Sequence, residues 1–186
     1  MKRKYFTGTN TFTLLCIFAL CMTFSDLAFG SVDGEVGAQS TGSANISVII
    51  PALIKISNIS NLNLGTFGGA GALQSDDQVC IYSNSSSGNY HVTASGSGTA
   101  NAFALENGAG KQIAYALKWN DQPSTVGSVT LSSGVASGTQ TGANSTSLNC
   151  DGSNNANFQV IIAEETLQTE SSGVYNGLVT FVVEPD

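Results

Sequence analysis

The chain has 186 residues and a mass of 19.1 kDa, room for one domain and little more. Only 10% of its residues are charged, six Lys+Arg against thirteen Asp+Glu, for a net charge of −7 and a pI near 4.4. A chain so poor in cations cannot gain the counterion-release energy of backbone-driven nucleic-acid binding, which excludes nucleic acid as a partner. A hydrophobic share of 41% and a mean hydropathy of +0.11 exclude a disordered chain.

The N-terminus reads as an export signal over residues 1–30. Met1-Lys2-Arg3-Lys4 is a basic start, residues 12–24 are an apolar run, and Ala28-Phe29-Gly30 offers the small residues a signal peptidase reads. Ser25 and Asp26 interrupt the run before it reaches the roughly 20 apolar residues of a spanning helix. Leu20 before Cys21 is too bulky for a lipidation signal. Cleavage removes Lys2, Arg3 and Lys4, leaving Lys55, Lys111 and Lys118 as the cations and no Arg at all. That argues against an Arg-clamped phosphate or carboxylate site. It also removes Cys16 and Cys21. The remaining pair, Cys80 and Cys150, reads as one disulfide in an exported chain, worth roughly 4 kcal/mol by loop closure. Two thiols and the single His91, without close spacing, fall short of a zinc set.

Residues 31–43 are small and polar and read as a mobile leader. Ala44, Ile46, Val48 and Ile50 then alternate with their neighbours at the period of a strand, and Pro51 interrupts that stretch. Strand patterns recur at 53–56, 62–67, 78–83, 89–95, 102–106, 113–120, 128–132, 157–163 and 174–183, each closed by Gly, Asn or Ser. In two of them one face is plain: Ile113, Tyr115, Leu117 and Trp119, and Phe158, Val160 and Ile162. Residues 132–147 read as loop, and the one helical candidate is 164–168. The spacing predicts an all-β antiparallel sandwich over 44–186.

No enzyme site emerges. His91, between Tyr90 and Val92, falls on the opposite strand face from both and has no G-x-S-x-G elbow to serve. Asp76-Asp77 and Glu164-Glu165 are adjacent, so an extended chain points each pair apart; solvated turns are the expectation. Residues 151–155 lack the terminal bidentate acid of a calcium loop. The glycines of 65–71 lack a following Lys-Ser/Thr, so no P-loop forms. Asn-x-Ser/Thr at Asn45, Asn58, Asn84 and Asn144 is expected by chance in so Asn/Ser-rich a chain. Neither catalytic residues nor a cofactor or metal is expected.

Three stretches carry a family resemblance: QVCIYSN at 78–84 followed by GNYHVTASG at 88–96, LNLGTF at 62–67, and SGVYNGLVTFVV at 172–183. In order and spacing this resembles the spore coat protein U-like domains, which include subunits of archaic chaperone-usher pili. The resemblance implies an immunoglobulin-like sandwich lacking its final strand, so that the strand of Tyr175, Val179, Phe181 and Val183 becomes an open edge for a chaperone or a neighbouring subunit. It further implies a non-enzymatic structural subunit that passes through the periplasm, meets a periplasmic chaperone and an outer-membrane usher, and joins copies of itself or related subunits in a cell-surface fimbrium.

Two assignments of the donor strand follow. Either Ala44, Ile46, Val48 and Ile50 are the donor and the body begins near Leu53, or they belong to the body and leave a leader too polar to donate, which makes the chain a monomer or a fibre-end subunit. The competing reading is a self-complete secreted or periplasmic module that binds carbohydrate or a surface protein, with Trp119 beside Asn120 and Asp121 as a stacking platform.

Overall fold

The computed structural model describes residues 30–186 and divides the chain into two units, Met1–Ile49 and Ile50–Asp186. The expected signal peptide lies outside the described residues up to residue 29, as do Cys16 and Cys21. Within the first unit, Val32 and Ser43 form one antiparallel bridge, each N–H donating to the other's carbonyl at 2.9 Å. Residues 44–49 adopt no strand, contrary to their alternation; among the described residues no neighbouring backbone supplies the hydrogen bonds a strand needs. Ile46 is 96% exposed, and Val48 and Ile49 are exposed with it.

The second unit is an all-β antiparallel sandwich. Its strands are β1 (Ile54–Ser57), β2 (Leu73–Ser83), β3 (Tyr90–Gly96), β4 (Ala104–Glu106), β5 (Gln112–Ala114), β6 (Ala116–Asn120), β7 (Val129–Thr130), β8 (Ala156–Ile162) and β9 (Val179–Pro185), with one short helix, α1 (Glu164–Thr169), between the last two. One sheet has the order β1-β2-β8-β6-β7, and the pairs β3-β9 and β4-β5 make up the rest. Trp119, Phe158, Tyr90, Ile81, Leu117 and Val92 are fully buried between the layers. Phe181 of β9 closes on them, its ring 4.9 Å from Phe158 and 5.6 Å from Trp119.

Three strand expectations change in instructive ways. The run 113–120 divides at Tyr115, whose N–H leaves the ladder to donate to the Phe103 carbonyl at 2.9 Å, yet Ile113, Tyr115, Leu117 and Trp119 all stay buried on one face. The strand expected from residue 78 begins at Leu73, because β8 pairs with it from Leu73↔Ile162 onward. Asp76 and Asp77 therefore lie inside a strand and not in a turn. Each carboxylate is held separately: Asp77 Oδ2 accepts from Ser60 N at 2.6 Å and Asp76 Oδ2 from Asn157 Nδ2 at 2.7 Å. Residues 62–67 form no strand, although Leu62 and Leu64 pack partly buried against the core.

Gly96 ends β3 where the chain doubles back on itself. A Cβ there would lie 2.0 Å from the Ala102 carbonyl oxygen and 2.9 Å from Phe103 Cα, both backbone atoms with no rotamer to escape into. Gly96→Ala is expected to cost about 1–3 kcal/mol, read as a lower urea midpoint at unchanged slope.

Burial pushes the phenol of Tyr90 far above its ordinary 10.0 and that of Tyr115 upward as well. The fold thus prefers both neutral. Their contribution is intact below about pH 10, where the unfolded chain also keeps its phenols protonated, and is lost as pH rises from there toward the folded values. Urea unfolding at about pH 8 and about pH 11 should show the lower midpoint at the higher pH.

Candidate functional site

The two sides of the sandwich differ. On one, the chain crosses between layers: after β7, Leu131 N donates to Leu117 O at 2.9 Å, and residues 134–140 then run along β3. There Gly134 N donates to Ala94 O and Ser137 N to Val92 O, both at 2.8 Å, while Tyr90 and Gln140 exchange bonds. That side is closed by covalent chain.

On the other side the bounding elements are β1 and β9, which approach within 8 Å between Cα atoms but do not pair. β9 is bonded to β3 along one edge over its full length, Gly96↔Val179 to Tyr90↔Pro185. Among the described residues no strand pairs with its other edge. The same holds for the free edge of β1 and for residues 62–67, where the Gly65 N–H turns to the Asn63 side chain of its own segment. An unpaired edge of this length is a template for another strand.

The side chains along this opening are apolar and only partly covered. Ile54, Ile56, Leu62 and Leu64 line one wall, and Tyr175, Val179, Phe181 and Val183 the other. Beside α1 lies a cleft of about 870 Å³, bordered by Leu62, Leu64 and Tyr175, whose apolar lining includes Phe67, Leu73, Leu105, Ile113 and Ile162. The expected final strand, 174–183, is displaced: it begins at Val179, and upstream of it only Asn176 pairs, with Glu106. Tyr175 thus lies before the strand, its hydroxyl donating to the Ser171 carbonyl at 3.0 Å. Gly177 permits this course. A Cβ there would stand 2.8 Å from Leu105 Cδ2 and 3.0 Å from the Ala104 carbonyl oxygen.

Around the opening, several polar residues hold the frame. Cys80 and Cys150 are bonded, S–S 2.05 Å with Cα atoms 5.8 Å apart, which ties β2 to the turn before β8 as expected. His91 lies opposite Tyr90 and Val92 on its strand. Its Nε2 is 2.7 Å from Asp186 Oδ1 and its Nδ1 2.9 Å from the Ser137 carbonyl, so the ring clamps the end of β9 to β3. Asn155, the last residue of the nominal calcium loop, serves the backbone instead: its Oδ1 accepts from Ile81 N while its Nδ2 donates to the Ile81 and Gly142 carbonyls. Asn84, the last residue of the stretch 78–84 and an Asn-x-Ser match, bonds Leu53 and Pro51. The Asn154 Oδ1, a nominal cation ligand, takes a bond from Asn58 Nδ2 at 2.7 Å. Among the described residues no three His, Cys, Asp or Glu side chains are placed to hold a metal ion.

Trp119 is fully buried at the centre of the core, as its place on the face of Ile113, Tyr115 and Leu117 leads one to expect, and cannot serve as the surface platform for sugar of the competing reading. Of the Glu164-Glu165 pair, Glu164 caps no turn of a loop but starts α1, and its Oε2 accepts from Gly71 N at 2.9 Å.

No family model matches the chain, and no curated protein matches it. Among solved structures, it resembles a chain of the chaperone-tip adhesin complex vital for synergistic activation of CFA/I fimbriae biogenesis, with a TM-score of 0.53 and 18% identity. The match covers 72% of this chain and 41% of that one, so the protein spans less than half the length of that neighbour. At this identity the likeness speaks for the fold, an all-β sandwich of a kind found in a fimbrial complex.

Proposed function

We propose that the protein is a non-enzymatic structural subunit of a surface fimbrium, assembled head to tail by strand exchange. The observation that carries this reading is the one-sided opening: an unpaired β9 edge, facing β1 across a half-covered apolar stripe, in a chain that also bears an exposed apolar segment at 44–50. A strand from a second copy, presenting Ala44, Ile46, Val48 and Ile50, would pair with the edge and seat its apolar side chains in the opening. Burial of each large aliphatic residue contributes about 1.5–3 kcal/mol before ordering costs. The contact joins two different surfaces of the same chain and does not close, which makes a filament and not a dimer.

The export signature at residues 1–30 and the fold shared with a fimbrial complex support the same route: periplasmic transit with a chaperone lending the first strand, then an outer-membrane usher and incorporation at the cell surface. Of the two donor assignments, the exposure and lack of pairing of 44–49 favour the one in which the body begins near Leu53. Removal of residues 31–50 is the decisive experiment: loss of polymer with retained chaperone binding supports strand exchange, and persistence of polymer overturns it.

A further inference from the structure

Only Pro51, Ala52 and Leu53 separate the exposed segment from β1. Connections of about two to five residues are common in β-hairpins. By length alone, then, the segment can fold back beside β1 of its own body and close the opening in cis. A subunit that did so would be a monomer.

Asn84 stands against that course. Its backbone N–H donates to the Leu53 carbonyl at 3.1 Å, its Oδ1 accepts from Leu53 N at 2.7 Å, and its Nδ2 donates to the Pro51 carbonyl at 2.8 Å. The β1–β2 ladder ends at Ile54↔Ser83, so these bonds carry it onward past its last strand pair. A hairpin over 51–53 has to turn the same carbonyl and N–H groups away from Asn84. The fixed φ of Pro51 narrows the alternatives further. An amide is suited to this place because it offers an acceptor and a donor in one plane, which neither a carboxylate nor a hydroxyl at that reach supplies.

We infer that Asn84 is a latch that keeps residues 51–53 in line with β1 and thereby commits the 44–50 segment to the opening of a second copy. This rests on the strand-exchange reading above and adds to it what separates exchange in trans from closure in cis. Each neutral hydrogen bond is worth about a two- to tenfold factor, so loss of the two side-chain bonds shifts the balance toward the cis-closed form by about tenfold.

The test uses the full exported chain, isolated as monomer, and a fluorescent synthetic peptide of residues 44–50. Wild type should bind the peptide, and Asn84→Ala should bind it about tenfold more weakly because its own segment competes. Adding Ile46→Asp and Val48→Asp to Asn84→Ala disables that competitor and should restore wild-type affinity. Equal binding by wild type and Asn84→Ala overturns the latch alone, as does weak binding that the two aspartates fail to restore. Binding by neither chain overturns the strand-exchange reading and the latch with it. Where Asn84→Ala does not fold, Pro51→Gly loosens the same hinge from its other side and supplies the same comparison.

Discussion

A chain lacking residues 31–50, produced with its chaperone, is expected to accumulate as a chaperone-bound monomer and to form no fibre. The body, from Pro51 onward, keeps every strand pair described above, because the ladders of β1 to β9 draw on no residue of the deleted segment. Its opening also remains, so a chaperone strand still has an edge to pair with and a stripe of Ile54, Ile56, Val179 and Phe181 to cover. What is gone, on the proposed reading, is the strand offered to the next subunit. The loss should be all or none, since a filament needs both surfaces in each copy. Electron microscopy of surface material and a pull-down with the chaperone measure the two halves separately. Fibres from the deleted chain would overturn strand exchange as the mode of assembly.

The second large effect concerns the disulfide. Cys80 and Cys150 close a loop of 70 residues, for which the chain-entropy treatment gives about 4 kcal/mol. Against a total stability of about 5–15 kcal/mol for a domain, that is a large share. It weighs more in a sandwich with one side uncovered. Replacing both cysteines by Ala, so that no free thiol remains, should lower the urea midpoint by an amount equivalent to about 2–5 kcal/mol. It should also cut the yield of chaperone-free subunit far more than that of assembled subunit, where an inserted strand adds stability. A change under about 1 kcal/mol would show that the reduced chain is already constrained by its neighbours, Ile81 and Ser57, and that the loop-closure account fails.

Much of this architecture could be read from alternation alone. Phe158, Val160 and Ile162 share the buried face they were expected to share, and so do Ile113 to Trp119 even though Tyr115 breaks the backbone ladder. Side-chain periodicity reports burial, which survived. Hydrogen-bond partnership is a property of distant segments, and periodicity is silent about it. That is why 44–50 and 62–67 were read as strands: both carry the pattern, and both lack a partner among the described residues. Of the site, alternation places Val179, Phe181 and Val183 on one partly buried face of β9, while Tyr175 lies before the strand, beside the single bridge between Asn176 and Glu106. The polar residues that hold the frame, Asn84 and Asn155 above all, were hidden because an Asn in a Ser- and Gly-rich stretch looks like any turn residue. Only the fold reveals which of them faces an unpaired backbone.

The placement of the disulfide has a mechanical consequence. In the proposed fibre, a load that enters the chain at β1 and leaves at β9 runs along β2 as far as Cys80, crosses directly to Cys150 and continues through β8. The chain between the two cysteines, residues 81–149 with β3 to β7 included, never comes under tension. A copy pulled open at its ends would therefore withhold roughly 230–250 Å of contour that a reduced chain would pay out. The bond acts as a stop on extension, confining the damage of a pull to the two ends of the sequence and leaving the middle strands in place to refold around.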